Sequence, residues 1–245
     1  MRTTVLQRLV RALFVVGFVA GATTISAVPA SAANVVLGSG QTLYAGSSMN
    51  TGTGCMLIVQ SGDGNVVEYC NGTAVFDTHT QPHPGDLLTV QTDGNVVVYA
   101  GGTWLWQTGT HQYNGAILQL QDDQNLVVYA TNGAPLWAKS WLRDATGARQ
   151  YAQNFFIHYG WSTGTQYPCL NSLWIRESNW QWNATNPSSG AYGIPQALPA
   201  SKLATAGTDW HDSGLTQVQW GENYIAGRYG NPCAAWSHEQ TYGWY

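Results

Sequence analysis

Charge is scarce in this chain. Nine lysines and arginines and thirteen acidic residues stand among 245, and three of the nine, Arg2, Arg8 and Arg11, lie in the first eleven positions. Setting those three aside leaves six basic residues against thirteen acidic, a net charge of −7. Such a surface offers little to nucleic acid or to an anionic membrane, and neither is expected as a partner. No apolar run reaches the roughly 20 residues that cross a bilayer. The six histidines show no His-Glu-x-x-His or comparable metal spacing, so neither metal nor cofactor is expected. The chain is instead rich in tryptophan (12), tyrosine (13) and glycine (28), which suits a neutral glycan.

The N-terminus reads as a secretion signal over 1–32. The three arginines form its positive region, Ala12 to Ala22 its apolar run, and Ala30-Ser31-Ala32 a small-residue cleavage site. The mature protein is therefore expected outside the cell or in the cell wall. Four cysteines in an exported chain allow three pairings. Pairing within each half gives Cys55–Cys70 and Cys169–Cys233, worth about 3 and about 4 kcal/mol by loop closure.

Residues 33–141 repeat themselves. GDGNVVEY (62–69), TDGNVVVY (92–99) and DDQNLVVY (122–129) stand 30 residues apart, and each leads to an apolar-aromatic step: Val75-Phe76, Leu105-Trp106, Leu136-Trp137. A period of this size means one small β unit used three times around a shared core. Phe76, Trp106 and Trp137 are expected in that core. The repeats resemble bulb-type (monocot mannose-binding) lectin units, whose sugar motif is Gln-x-Asp-x-Asn-x-Val-x-Tyr. Gln91, Asp93, Asn95, Val97 and Tyr99 match it, as do Gln121, Asp123, Asn125, Val127 and Tyr129. The first repeat keeps Asp63, Asn65, Val67 and Tyr69, but Ser61 holds the glutamine position and Gln60 is displaced by one residue, so this site is expected to lack one hydrogen-bonding group and to be defective. The resemblance implies an all-β, three-fold β-prism and mannose-type glycans as partners. Carboxylate and amide groups suit neighbouring sugar hydroxyls, and a chain bent at Asp93-Gly94 brings the motif's ends to one ring.

In CLNSLWIRESNW (169–180), Leu170, Leu173 and Trp174 fall at the i, i+3, i+4 spacing of one helical face, and the next position of that stripe is Glu177. A carboxyl set among Leu173, Trp174 and Trp180 is partly desolvated, which raises its pKa and fits it to act as a general acid. The plain alternative is an acid at a helix end paired with a cation such as Arg228. Arg176, being adjacent, points to another face. Glu177-Ser178 and the later Gly190, Ala191, Gly193, Ile194, Gln196 and Pro199 resemble the goose-lysozyme-like and lytic transglycosylase superfamily over 145–245, with Pro195 where methionine is usual. That resemblance implies an α-rich lysozyme-like domain, peptidoglycan as substrate and Glu177 as acid and then base. It places Ser178, Trp180, Tyr192, Gly193 and Gln196 along the glycan strand, with Trp182 as a further stacking residue. The Ala-Tyr-Asn signature of many soluble members is absent, so no tyrosine takes a catalytic role.

Between Ser178 and Thr208 there is no Asp or Glu, whereas most glycosidases use two carboxyl groups. That favours a transglycosylase, with attack by the substrate's own hydroxyl, over a hydrolytic lysozyme, for which Asp209 and Asp212 are the candidate bases. A glycan-binding protein that does not cut is the remaining alternative. Gly160-Trp161-Ser162-Thr163-Gly164 matches a nucleophile elbow, but that motif needs a strand before it and a helix after it; TGTQYPC reads as loop. A peptidase on Cys169 with His211 or His238 conflicts with the disulfide. Helices are expected near 145–158, 169–179, 199–206 and 213–228, with Gly230-Asn231-Pro232 as a stop. No Pro- or Ser-rich linker separates the halves, so they are expected to pack directly.

Overall fold

The computed structural model describes residues 34–245, so the expected secretion signal, 1–32, lies outside the described residues. Each repeat folds as three antiparallel strands. The first gives β4 (Cys55–Val59), β5 (Val66–Cys70) and β6 (Thr73–Asp77); the second β7 (Leu87–Val90), β8 (Val96–Ala100) and β9 (Thr103–Gln107); the third β10 (Ile117–Leu120), β11 (Leu126–Tyr129) and β12 (Pro135–Ala138). Three short strands ahead of the repeats, β1 (Val35–Leu37), β2 (Thr42–Tyr44) and β3 (Ser48–Asn50), each add a fourth strand to one sheet. Their order is crossed: β1 joins the last repeat, β2 the second and β3 the first, so the start of the region closes on its end.

Strand alternation sends Leu57, Leu88, Leu118, Val66, Val96 and Leu126 inward, all at most 3% exposed. At the centre Phe76, Trp106 and Trp137 meet edge to face with centroids 5.7–6.2 Å apart. One inward position breaks the pattern. Where the other repeats carry Val98 and Val128, the first carries Glu68, fully buried and 2.7 Å from Lys139 Nζ. The Asp-x-Asn turns are alike: the Asn65, Asn95 and Asn125 amides donate to Oδ1 of Asp63, Asp93 and Asp123. Gly94 in this turn has φ +94°, and a Cβ there would strike the Tyr113 carbonyl.

The helical region contains α1 (Ala145–Phe155), α2 (Thr163–Ser178), α3 (Gly214–Tyr229) and α4 (Pro232–Tyr242), with 3-10 turns at Phe156–Tyr159 and Ala200–Thr205. Two expectations need correction. TGTQYPC is not loop: it forms the first turns of α2, with Pro168 inside the helix. The Cys169–Cys233 disulfide and the Gln166 side chain, which accepts from the Cys233 amide at 3.1 Å, hold this turn on α4, so tertiary contacts override the proline's cost. Ser162 therefore precedes a helix, but a helical turn rather than a strand lies before it, and the elbow reading fails. Second, Asn231-Pro232 stops α3 and also starts α4, with Asn231 capping the Ala234 amide at 3.0 Å and proline in the first turn. Both expected disulfides are formed. Among the described residues no helix is long and apolar enough to cross a membrane.

The two regions are joined by buried polar bonds as well as apolar packing. Trp106 Nε1 donates to Asp209 (2.9 Å), the Tyr151 hydroxyl to the Thr108 carbonyl (2.6 Å), the Tyr113 hydroxyl to the Asn154 carbonyl (2.9 Å) and the Thr208 hydroxyl to the Thr78 carbonyl (2.7 Å).

Inside the helical region both carboxyl oxygens of Glu222 on α3 are buried without a hydrogen-bond partner, and burial holds its pKa well above the usual carboxylate range. The fold keeps a proton here that the unfolded chain releases as pH rises above 4.5, so stability is greatest below that value and falls above it. Glu222→Gln should remove this slope, so that the variant keeps at pH 8 the stability it has at pH 4.5. Denaturant melts at pH 4.5 and pH 8 test it; equal slopes for both proteins would show Glu222 ionised in the fold.

Candidate functional site

The three lectin-like motifs have one architecture. Gln91 Nε2 donates to the Tyr99 hydroxyl at 2.9 Å and Gln121 Nε2 to the Tyr129 hydroxyl at 3.1 Å. In each motif the tyrosine keeps its own proton free to donate, and Asp93 and Asp123 keep an unengaged oxygen among the described residues. In the first repeat Gln60 Nε2 donates to the Tyr69 hydroxyl at 2.9 Å. The displaced glutamine thus occupies the place that Ser61 was expected to leave empty. The turn is one residue longer: the Gln60 amide donates to the Asn65 carbonyl, where Gln91 reaches Asn95 and Gln121 reaches Asn125. The first motif is therefore as complete as the other two, and its expected defect is corrected.

The asparagines and valines face inward more than the sequence suggests. Asn95 Oδ1 accepts from the Thr108 hydroxyl and the Thr110 amide, and its Nδ2 donates to Gln107 Oε1. Asn65 does the same toward Thr78, Thr80 and Asp77. Asn125 is looser, with its Oδ1 accepting the Ser140 amide. Val67, Val97 and Val127 are 2–4% exposed, leaving a sugar little of their surface.

Glu177 sits in the last turn of α2 on the stripe with Leu173 and Trp174, both fully buried. Among the described residues no hydrogen bond or ion pair reaches its carboxyl. Burial pushes its pKa up to about 7, the nearby Glu239 carboxylate adds to the rise, and Arg176 opposes it. The helix C-terminus, with its negative dipole, disfavours the ionised form as well. Neither cation is its partner. Arg176 Nε pairs with Glu239 Oε1 at 2.7 Å, and Arg228 lies over the Tyr224, Tyr229 and Trp244 rings.

The residues expected along a glycan strand are mostly turned to other work. Ser178 is buried and its hydroxyl donates to the Ile194 carbonyl at 2.8 Å, tying the helix end to the following loop. Trp180 is 1% exposed, packs edge-on against Trp174 at 4.9 Å and donates from Nε1 to Asn171. Tyr192 is buried, stacks on His211 at 5.1 Å and donates its hydroxyl to the His211 carbonyl. Gly193, at φ +77°, is buried where a Cβ would meet the Gln217 side chain, so close packing rather than sugar approach requires it. Gln196 donates from Nε2 to the Ala184 and Gly193 carbonyls. Trp182 is half-buried under the Arg143 guanidinium, 5.2 Å from its ring centre. These side chains shape the loop beside Glu177 from within. Asn179, Trp180 and Gln196 all take positive φ there, a local strain that the packing sustains.

Three residues that the sequence did not single out complete this corner. Gln217 is fully buried on α3; its Oε1 accepts from the Ile194 amide, and its Nε2 donates to the Trp182 and Trp210 carbonyls. A glutamine on the inward face of a helix is the signal that was available. Glu239 comes from α4, an element the sequence reading lacked. The Tyr245 hydroxyl accepts from Trp174 Nε1 at 2.9 Å and donates to the Pro195 carbonyl at 3.0 Å. Asp209, expected as a candidate base, is buried between Trp106 Nε1 and the Thr216 hydroxyl. Asp212 lies 3.1 Å from His211 and 3.6 Å from Arg143. Cys55, Glu68 and Cys70 gather their ligand atoms within 4.8 Å, but the cysteines are bonded to each other.

Among solved structures, the chain is similar to a monomeric monocot mannose-binding lectin of Gastrodia elata, at 34% identity over 42% of this chain and 94% of that one, with a TM-score of 0.40. A mannose-specific agglutinin from snowdrop (Galanthus nivalis) bulbs, complexed with methyl-α-D-mannoside, is also 34% identical over 42% of this chain and 94% of its own, with a TM-score of 0.37. A lectin from Allium sativum is 33% identical over 42% and 96%, with a TM-score of 0.36. These likenesses, at 42% of the chain, do not identify the helical region. No family model and no curated protein matches the chain.

Proposed function

We propose that this is a secreted, glycan-directed enzyme: its lectin-like β-prism holds mannose-type sugars, and its helical region cleaves peptidoglycan as a lytic transglycosylase. Glu177 carries the second half of that reading. A carboxyl with a pKa of about 7, free of ion pairs although Arg176 adjoins it, is a proton donor at neutral pH. Glu177 gives its proton to the glycosidic oxygen as the bond from N-acetylmuramic acid C1 to N-acetylglucosamine breaks. The muramyl C6 hydroxyl then attacks C1 and returns its proton to the Glu177 carboxylate, leaving a 1,6-anhydro end. The commitment of Asp209 to Trp106 and Thr216 removes one of the two candidate bases that a hydrolytic lysozyme would need for water, Asp212 being the other.

For the lectin-like region, support comes from three motifs with one Gln–Tyr geometry; mannose is the sugar named for the similar lectins. Mass spectrometry of muropeptides released from purified peptidoglycan tests the enzyme reading. Anhydro-muramyl ends are expected. Reducing ends, heavier by one water, would make the protein a lysozyme; retained glycan binding without any release would make it a non-catalytic lectin.

A further inference from the structure

We propose that the cavity between β6 and the helical region is a second saccharide position, which extends the first lectin motif into an oligosaccharide site. The inference rests on the lectin reading of the motifs and is independent of cleavage at Glu177. The cavity measures about 400 Å³, within the range of small-ligand sites. Val75 and Leu142 give it apolar surface, and Asp77, His79, Arg143 and Asp212 give it polar groups.

Asp77 lines the cavity and is bonded to the motif's Asn65. Its Oδ2 accepts from Asn65 Nδ2 at 2.9 Å and from the His79 amide at 3.3 Å, while Oδ1 has no hydrogen bond among the described residues. The other repeats lack this bridge. In the second, Gln107 stands at the corresponding place with its Oε1 taken by Asn95 and its carbonyl by Gln219; in the third, Ala138 has no polar side chain. The opposite wall offers Arg143, braced over Trp182 and 3.6 Å from Asp212. Carboxylate acceptors, a guanidinium donor and apolar side chains in one lining match the hydroxyls and ring carbons of a neutral sugar. Two carboxylates, Asp77 and Asp212, against one guanidinium leave the lining net acidic, which disfavours an anionic sugar.

The walls are fixed before any ligand arrives. Thr208 bonds the Thr78 carbonyl at the end of β6, Trp106 bonds Asp209, and Lys139 pairs with Glu68. A site held by buried bonds loses little freedom on binding. His79, at φ +56°, is a further held residue at the rim.

Calorimetric titration of the full chain with methyl α-mannoside and with a linear α-linked mannotriose decides the matter. Methyl mannoside should bind at all three motifs with similar affinity. Mannotriose should bind one of them about tenfold more tightly, the effect of one or two added hydrogen bonds. Val75→Trp, at a position 40% exposed, should fill the cavity and abolish that gain while monosaccharide binding persists; Arg143→Met should reduce it. Mannotriose binding no tighter than methyl mannoside, or a gain that survives both substitutions, would overturn the cavity site and leave the lectin reading standing. Failure of either sugar to bind would overturn the lectin reading, and the cavity site with it.

Discussion

Glu177→Gln is expected to lower the release of soluble fragments from peptidoglycan by about 10²–10⁴-fold, the usual contribution of a positioned acid, while the fold and sugar binding are retained. The amide is nearly isosteric and its site holds no hydrogen bond to lose. It also removes the loss of stability that the wild type suffers as pH rises from 4.5 through about 7, so the variant should be no less stable at neutral pH. The pH profile of the wild-type protein supplies an independent check. Burial, reinforced by Glu239, sets the Glu177 pKa at about 7, and the step that starts the reaction needs the protonated form. Activity should therefore hold at mildly acidic pH and fall as pH rises through about 7. Wild-type release by the glutamine variant would remove Glu177 from the chemistry. A rate unchanged up to pH 9 would mean that its carboxyl ionises freely.

Lys139→Met should destabilise the protein by about 3–5 kcal/mol at neutral pH, because it strands the Glu68 carboxylate in the core. Glu68 is fully buried, with Lys139 Nζ at 2.8 and 2.7 Å from its two oxygens. Burial raises its pKa above 4.5 even with the lysine present, and removing the lysine raises it further. The sign follows: the unfolded chain ionises above pH 4.5, so the variant loses stability as pH rises above that value and regains it below. Glu68→Val combined with Lys139→Met should recover the loss, since Val98 and Val128 fill the equivalent positions of the other repeats. Urea unfolding at pH 4 and pH 7 measures all three proteins. A single variant as stable as wild type at pH 7 would show that water reaches Glu68.

The repeats were legible because they state one local rule three times. Asp-x-Asn turns, alternating valines and an aromatic step recur every 30 residues, and no tertiary information is needed to read them. The closing strands were not legible: β1, β2 and β3 have three residues each, too few to show alternation. Gln60 was misjudged because alignment on Asp63 hides a turn that is longer by one residue. In the helical region, Glu177 could be placed on its stripe from spacing alone. Its companions could not, since Gln217, Glu239 and Tyr245 arrive from 40 or more residues away. Ser178, Trp180 and Tyr192 were named for sugar contact because a motif gives residue types without giving the direction in which they point.

The bonds from Trp106 to Asp209 and from Thr208 to the Thr78 carbonyl leave no hinge between the two regions. A protein whose anchor and blade hang on a flexible tether sweeps a volume around each point of attachment. This one is built as a pair of fixed calipers. Under the proposed function, a motif holding its sugar would let Glu177 reach a single radius, and the bonds it met would be those the wall's own architecture places there.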